Sequence, residues 1–479
     1  MNIDHIPEPE LRFGTGSHID IRFGLMNFGP RDIASPNAPR HIRIGIIGTA
    51  ETVEGVSAWL ARCKNGVRAK QSNQPYLFPR FPACDEQPGL WTTLVTDSTI
   101  QRHIHSTTIN RISGIADANR AVEEAVGLII GEIEALKDKP VDVIVIAVPR
   151  DLTLAARADQ TGSDEPGAGP DAVGTLDLHH LLKARAFQFD TPLQLVLPWT
   201  YDESKRPPRR AKPGILRTLQ DEATRAWNFH VALYYKAKGI PWELKRDEAA
   251  YLPCYVGVTF YEALDKAALL TSVAQVFNER GEGLAVRGAT AARDKDDRQP
   301  HLDGQGARDL LVRALRAYRD EHHHLPARVV LHKTSIYNAA EMEGFRAAAE
   351  EHDLASLDLL SLGESATRLF RVGQYPPLRG TLAQLDDEQF SLYTRGSVEF
   401  FQTYPGLYVP QPLAIRLAAA DETPRFLAHE ILALSKMNWN NTQFDGHEPI
   451  TTQAARQVGK ILKYIPEGGR LQTHYRYYM

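Results

Sequence analysis

The chain has 479 residues, 43% of them hydrophobic and 24% charged, with 55 Lys and Arg against 59 Asp and Glu for a formal net charge of −4. Such a length exceeds one ordinary core and points to two domains, while the charge excludes a uniformly basic surface but not a local basic channel. Three cysteines, Cys63, Cys84 and Cys254, show no CxxC spacing, which excludes a disulfide framework and suits a reducing compartment.

Residues 1–40 are rich in Gly, Pro and Asp and read as an irregular N-terminal extension with one short strand around Ile19–Phe23. The opening MNIDHIPEPELRFG lacks the apolar core of a secretory signal. HIRIGIIGT (41–49) is an apolar run, followed by a helix through Glu54–Arg62. Val122, Val126, Ile129, Ile133 and Leu136 then recur at three- to four-residue spacing, the stripe of a helix with one buried side. VDVIVIAVP (141–149) follows as a strand apolar on both faces, and the Gly-, Asp- and Pro-rich stretch 157–176 reads as an inserted loop. A helix from Leu176 to Gln188, with Thr175 or Asp177 as cap, leads into the strand PLQLVLP (192–198). The basic segment KRPPRRAKPG (205–214) is a loop, and Thr218–Lys238 a long helix stopped by Gly239 and Pro241. Helices alternating with buried strands imply a doubly wound, Rossmann-like α/β domain over 41–245.

Residues 246–479 change character. YVGVTFYEA (255–263) and AQVFNERGEGLAVRG (274–288) suit adjacent strands of a mixed sheet. A helix at Gly306–Tyr318 precedes the buried strand RVVLHKT (328–334). Strands within 391–417 come before helices at Arg425–Met437 and Thr451–Tyr464. Strands first and strand–helix alternation afterwards fit an RNase H-like fold. No stretch approaches the roughly 18 apolar residues of a membrane span, so a cytoplasmic protein without membrane contact is expected.

One constellation carries chemistry. Residues four apart on a helix share a face, so His179 and Lys183 project together, and Asn228, Ala232 and Lys236 form a similar row. With Gln194 in the strand between, these groups could converge on a phosphate, a helix N-terminus adding backbone donors. On spacing alone, solvated helix faces are the simpler reading.

NFHVALYYKAKGIPWEL (228–244) resembles the MID-to-PIWI junction of Argonaute proteins, and HHLLKARAFQFDTPLQLV (179–196) resembles their 5′-phosphate pocket. The resemblance continues through LHKTSIYNAAEMEGF, LYTRGSVEFFQTYPGLYVPQPL and LSKMNWNNTQF, and covers most of 170–479. It implies a MID domain over 41–245 and a PIWI domain over 246–479. It places His179 where a Tyr is usual, with Lys183, Gln194, Asn228 and Lys236 as further guide-phosphate ligands. Ala232 stands where many relatives carry Lys, which shifts weight to a magnesium ion, expected on Gln194 and the Met479 carboxylate.

Slicing PIWI domains hold two divalent metals with clustered carboxylates. The matching positions here are Thr259, Lys333 (within His332–Lys333–Thr334) and Asn438. An ammonium at a ligand position repels a divalent cation. The resemblance therefore implies a nuclease site unable to cut, and a chain that binds a guide, RNA by expectation, and pairs it with complementary DNA. Relatives of this length resemble the recognition half of bacterial defence systems. They form a heterodimer with an APAZ-containing effector carrying a TIR, sirtuin-type or nuclease module, which target binding switches on. An active guide-dependent nuclease with unusual metal ligands is the alternative.

Three rival signals read as structural. His322–His324 fits a solvated helix end, His103 and His105 fit one strand face without ligand-spaced partners, and Asp294, Asp296 and Asp297 fit a charged loop without the glycine and closing Glu of a calcium loop. No GxGxxG or Walker loop appears. The terminal HYRYYM, four of whose six residues are aromatic counting His474, is expected to dock rather than fray.

Overall fold

The computed structural model describes residues 1–87, 89–155, 175–205, 219–245, 253–264, 268–277, 283–370, 376–406, 409–443, 446–466 and 468–479. The expected loops at 157–176 and 205–214 lie almost wholly outside these.

The N-terminal part contains β1 (Asn2–His5), β2 (Leu11–Arg12), β3 (Ser17–His18) and α1 (Ile21–Phe28). The first α/β unit follows with β4 (His41–Gly48), α2 (Ala50–Lys64), β5 (Thr93–Val95), β6 (Gln101–His103), α3 (Ser106–Ser113) and α4 (Ala118–Glu134). It is completed by β7 (Val143–Ala147), α5 (Arg150–Ala155), α6 (Leu178–Ala186), β8 (Leu193–Val196), α7 (Pro198–Tyr201) and α8 (Glu222–Lys236). The second unit runs β9 (Glu243–Leu244), β10 (Pro253–Glu262), β11 (Leu269–Phe277), β12 (Gly283–Val286), β13 (Thr290–Arg293), β14 (Pro300–His301), α9 (Gly304–His322) and β15 (Arg328–Lys333). It ends with α10 (Ala339–Glu351), β16 (Ser356–Glu364), β17 (Thr381–Gln384), β18 (Gln389–Leu392), β19 (Leu413–Ala419), α11 (Pro424–Leu434) and α12 (Ile450–Leu462).

Strand pairing in the first unit is parallel, in the order β5-β4-β7-β8 with β6 also on β4. The period of two along β7 explains its unbroken apolar sequence. Val143, Val145 and Ala147 face the core that holds α2 and α8, whereas Ile144 and Ile146 face α4 and α6. Helices on both sides of a parallel sheet make the doubly wound layer expected from the sequence. Among the described residues β9 joins β2 and β3 in a small separate sheet, while the other strands of the second unit form one mixed sheet with β1, ordered β1-β17-β18-β19-β16-β15-β10-β11-β13-β14 with β12 on β11. Its centre, β10-β15-β16, is parallel, and α9 and α10 pack on one face while α12 crosses the other.

Three expectations need correction. Residues 1–40 are not a loose extension, because β1 joins the edge of the second sheet with Ile3 opposite Ala383. The strand expected around Ile19–Phe23 is instead the start of α1, since Asp20 caps a helix by accepting from Arg22 N and Phe23 N. Within 391–417 a bend and a short 3-10 turn at Glu399–Phe401 separate β18 from β19.

The two units share a core. Trp227, Val231 and Leu233 of α8 belong to the same buried cluster as Ile431, Leu432 and Trp439. Tyr235 stacks on Trp439 at 4.7 Å and 9°, and Trp242 Nε1 donates to Lys436 O at 3.2 Å. The tail docks as expected, with Tyr475, Tyr478 and Met479 buried and Tyr478 against Phe187 at 4.8 Å.

Candidate nucleic-acid interface

Three elements and the tail meet in one place. Leu178, Leu181, Leu182 and Ala186 fix α6 in its core, which turns the His179–Lys183 row the other way. Lys183 is 1% exposed, and its Nζ donates to Tyr478 O at 2.9 Å and to Met479 O. In β8, Leu193 faces the α4 and α6 side, so Gln194 points with Val196 toward α8. Lys236, in the last turn of α8 and 2% exposed, donates to Gln194 Oε1 at 2.5 Å.

The electrostatics of this corner are one-sided. Burial pushes the Lys236 ammonium down to about 7. Burial also pushes Lys183 well below its ordinary value, and neighbouring Lys236 adds to that, with Asp177 acting in the opposite sense. His179 is held well below its usual range by burial, then by Lys183, His180, Lys236 and Lys460. Buried lysines are costly, and an anion that brings two or more acceptor oxygens relieves the cost through charge-assisted bonds. A phosphate is such an anion. The expected helix N-terminus is not available to it through His180 N, which donates to the Asp177 cap at 2.8 Å.

The structure thus brings His179, Lys183, Gln194, Lys236 and Met479 together, but leaves Asn228 outside. Eight residues of helix separate Asn228 from Lys236, roughly 12 Å. Asn228 Oδ1 accepts instead from Thr442 N and Thr442 Oγ1, both at 2.8 Å, and its Nδ2 donates to Gln220 at 3.4 Å. It links the two units. Ala232 is buried in the shared core. Lys460 was not foreseen, because it lies on α12, far along the chain, and only the packing of α12 beside α6 brings its charge to His179. Magnesium was expected on Gln194 and Met479. Both oxygens accept from ammonium groups here.

The three positions matched to the nuclease site do not form one cluster in the manner expected. Thr259 is 3% exposed on β10, just after Gly257, where an added Cβ would come within 2.1 Å of Thr451 O of α12. In the parallel ladder Gly257 lies opposite His332 and Val258 opposite Lys333. Lys333 therefore shares the face of Val258, toward α9 and α10, which corrects its expected place beside Thr259. Its Nζ donates to Glu341 Oε2 at 2.6 Å and Ile336 O at 2.7 Å, a fully buried pair that removes its charge from any metal cleft. Thr334, whose N donates to Val258 O at 3.2 Å, is the residue the ladder carries to the level of Thr259. Asn438 accepts from Asn440 N at 3.0 Å within its own turn, and the flanking Trp439 and Thr442 contact α8.

Of the rival signals, His323 is the left-handed C-cap of α9 at φ 63 and exposed. His105 does not continue a strand face with His103, because it caps α3 by accepting from Thr107 N at 3.3 Å. Asp294 accepts from Asp296 N at 2.7 Å, a turn within a charged loop.

No protein-family model matches the chain, and no curated protein matches it. Solved structures do. Clostridium butyricum Argonaute, bound to a guide DNA and a 19-mer target DNA, is similar at TM-score 0.65 and 15% identity, covering 98% of this chain and 54% of that one. A. aeolicus Argonaute is similar at 0.55 and 15%, covering 95% and 52%. Drosophila Piwi is similar at 0.56 and 13%, covering 100% and 56%. The chain spans about half the length of these proteins. At such identities the likeness speaks for architecture, and that architecture is the Rossmann-like MID domain joined to the RNase H-like PIWI domain of the Argonaute fold.

Proposed function

We propose that this chain binds the 5′ phosphate of a guide strand in the corner formed by His179, Lys183, Gln194 and Lys236 and reads a complementary strand by base pairing. The observation that carries the reading is the pair of buried lysines, Lys183 and Lys236, brought together in one corner beside His179 and Gln194. A guide phosphate draws both ammonium groups onto its oxygens and raises their proton affinity. That exchange releases Gln194 Oε1 and the Met479 oxygen to a magnesium ion, which neutralises the remaining phosphate charge. The similarity to an Argonaute solved with guide and target DNA supports the class of ligand. RNA is the expected guide and DNA the expected target, with sequence read by pairing and the protein reading backbone and duplex shape.

In this reading the PIWI half does not cut. The positions matched to the nuclease site, Thr259, Lys333 and Asn438, supply none of the carboxylates that would have to grip two metals. Recognition is then passed to a heterodimeric partner, an APAZ-containing effector with a TIR, sirtuin-type or nuclease module, in a cytoplasmic defence role. Among the described residues no helix is long and apolar enough to cross a membrane. Ile3 and Leu385, 53% and 42% exposed near the β1 edge of the sheet, offer apolar surface to such a partner.

The test is to load the full chain with a 5′-phosphorylated guide and add a labelled complementary strand with magnesium or manganese. Retention of the intact target is the expected result. Cleavage opposite the guide would overturn the inactive reading in favour of a nuclease with unusual metal ligands.

A further inference from the structure

Asp177, His179 and His180 are brought together at the start of α6. Their ligand atoms all lie within 4.8 Å of one another, and among the described residues no other His, Cys, Asp and Glu group converges this way. His180 Nδ1 is 2.8 Å from Asp177 Oδ1, and the rings of His179 and His180 are 5.1 Å apart at 46°. All three residues are half-buried. A plain capping arrangement accounts for Asp177 and His180, since the carboxylate also accepts from His180 N. It does not account for His179, whose Nδ1 is buried without a hydrogen-bond partner. A stranded buried ring nitrogen is unfavourable, and a ligand for it removes the penalty.

We infer that Asp177, His179 and His180 bind a divalent transition-metal ion of the zinc class. Two imidazole nitrogens and one carboxylate oxygen make a borderline donor set that favours zinc, cobalt or nickel over magnesium or calcium. Three protein donors leave a coordination position open to water or an anion. Burial and the nearby lysines keep His179 neutral, the form in which imidazole ligates. Ligation through His180 Nδ1 keeps the neutral ring's proton on Nε2, and the ion replaces the direct Nδ1–Oδ1 contact with Asp177. The positive field of Lys183 and Lys236 works against the ion, and Asp177 supplies the opposing charge. This site shares His179 with the guide-binding corner, whereas Lys183, Gln194 and Lys236 take no part in the metal donor set.

The test uses the full chain stripped with a chelator and titrated with zinc against a chromophoric competitor. One ion per chain is expected. His179→Ala and His180→Ala should each weaken it by at least about tenfold, the loss that even an outer-shell partner produces. The double variant His322→Ala/His324→Ala, at the exposed end of α9, should leave it unchanged. Cobalt loading of the unaltered chain should give a visible d–d band, a readout that does not depend on how the variants fold. Zinc binding that survives both His179 and His180 variants, that is lost only with His322 and His324, or that is absent with no cobalt band would overturn the inference.

Discussion

The Lys236 ammonium lies 2.5 Å from the Gln194 amide oxygen, so the last turn of α8 is tied to β8 by a single charge-assisted bond inside the protein. One neutral acceptor is little compensation for a buried ammonium. The same corner holds Lys183, whose acceptors are the Tyr478 carbonyl and the Met479 oxygen of the tail. The strain of this arrangement is electrostatic, and it sets what can be measured.

Because burial lowers Lys236 to about 7 from an ordinary 10.5, the unfolded chain binds more protons than the folded one between those values. Stability should therefore rise with pH across about 7 to 10.5, with the cost of the buried charge fully present below 7. Lys236→Met removes this contribution, so melting temperatures from pH 7 to pH 10 should climb less steeply in the variant. Parallel slopes would show that Lys236 is not the titrating group.

Guide binding should carry the reverse proton movement. A phosphate that restores the charged form of Lys236 takes up protons at pH 8, and the uptake should appear in calorimetry as a dependence of binding enthalpy on the buffer. A 5′-hydroxyl guide should show much less.

Lys333 is an anchor for α10. Replacing it with Met leaves Glu341 buried without its ammonium, which should cost about 3–5 kcal/mol in chemical denaturation while leaving guide affinity in the folded fraction unchanged. Weakened guide binding with unaltered stability would place Lys333 in the groove after all.

Asn228→Ala should loosen the join between the units. Two hydrogen bonds from Thr442 are lost, a cost of about 1–2 kcal/mol, and the preference for a 5′-phosphorylated strand should persist. Loss of that preference would return Asn228 to the pocket.

Much of this was readable before the structure. The apolar runs at 41–49 and 141–149 and the stripe from Val122 to Leu136 became β4, β7 and α4, because period and burial coincide there. His179, Lys183, Gln194 and Lys236 could be grouped because helix spacing and one intervening strand fix their faces. What remained hidden depends on long-range packing. β1 pairs with a strand almost 380 residues on, and Lys460 reaches His179 only when α12 docks. Two placements follow from local rules. Strand alternation sets Lys333 on the face opposite His332, and helix rise sets Asn228 two turns from Lys236.

The decisive measurement is the affinity of the full chain for one oligonucleotide carrying either a 5′ phosphate or a 5′ hydroxyl, compared with Lys183→Ala/Lys236→Ala. The phosphate-binding corner requires a preference of at least about tenfold for the phosphorylated strand, since each lost charge-assisted bond is worth roughly 1.5–3 kcal/mol, and a collapse of that preference in the double variant. Equal affinity of the unaltered chain for both strands would contradict it.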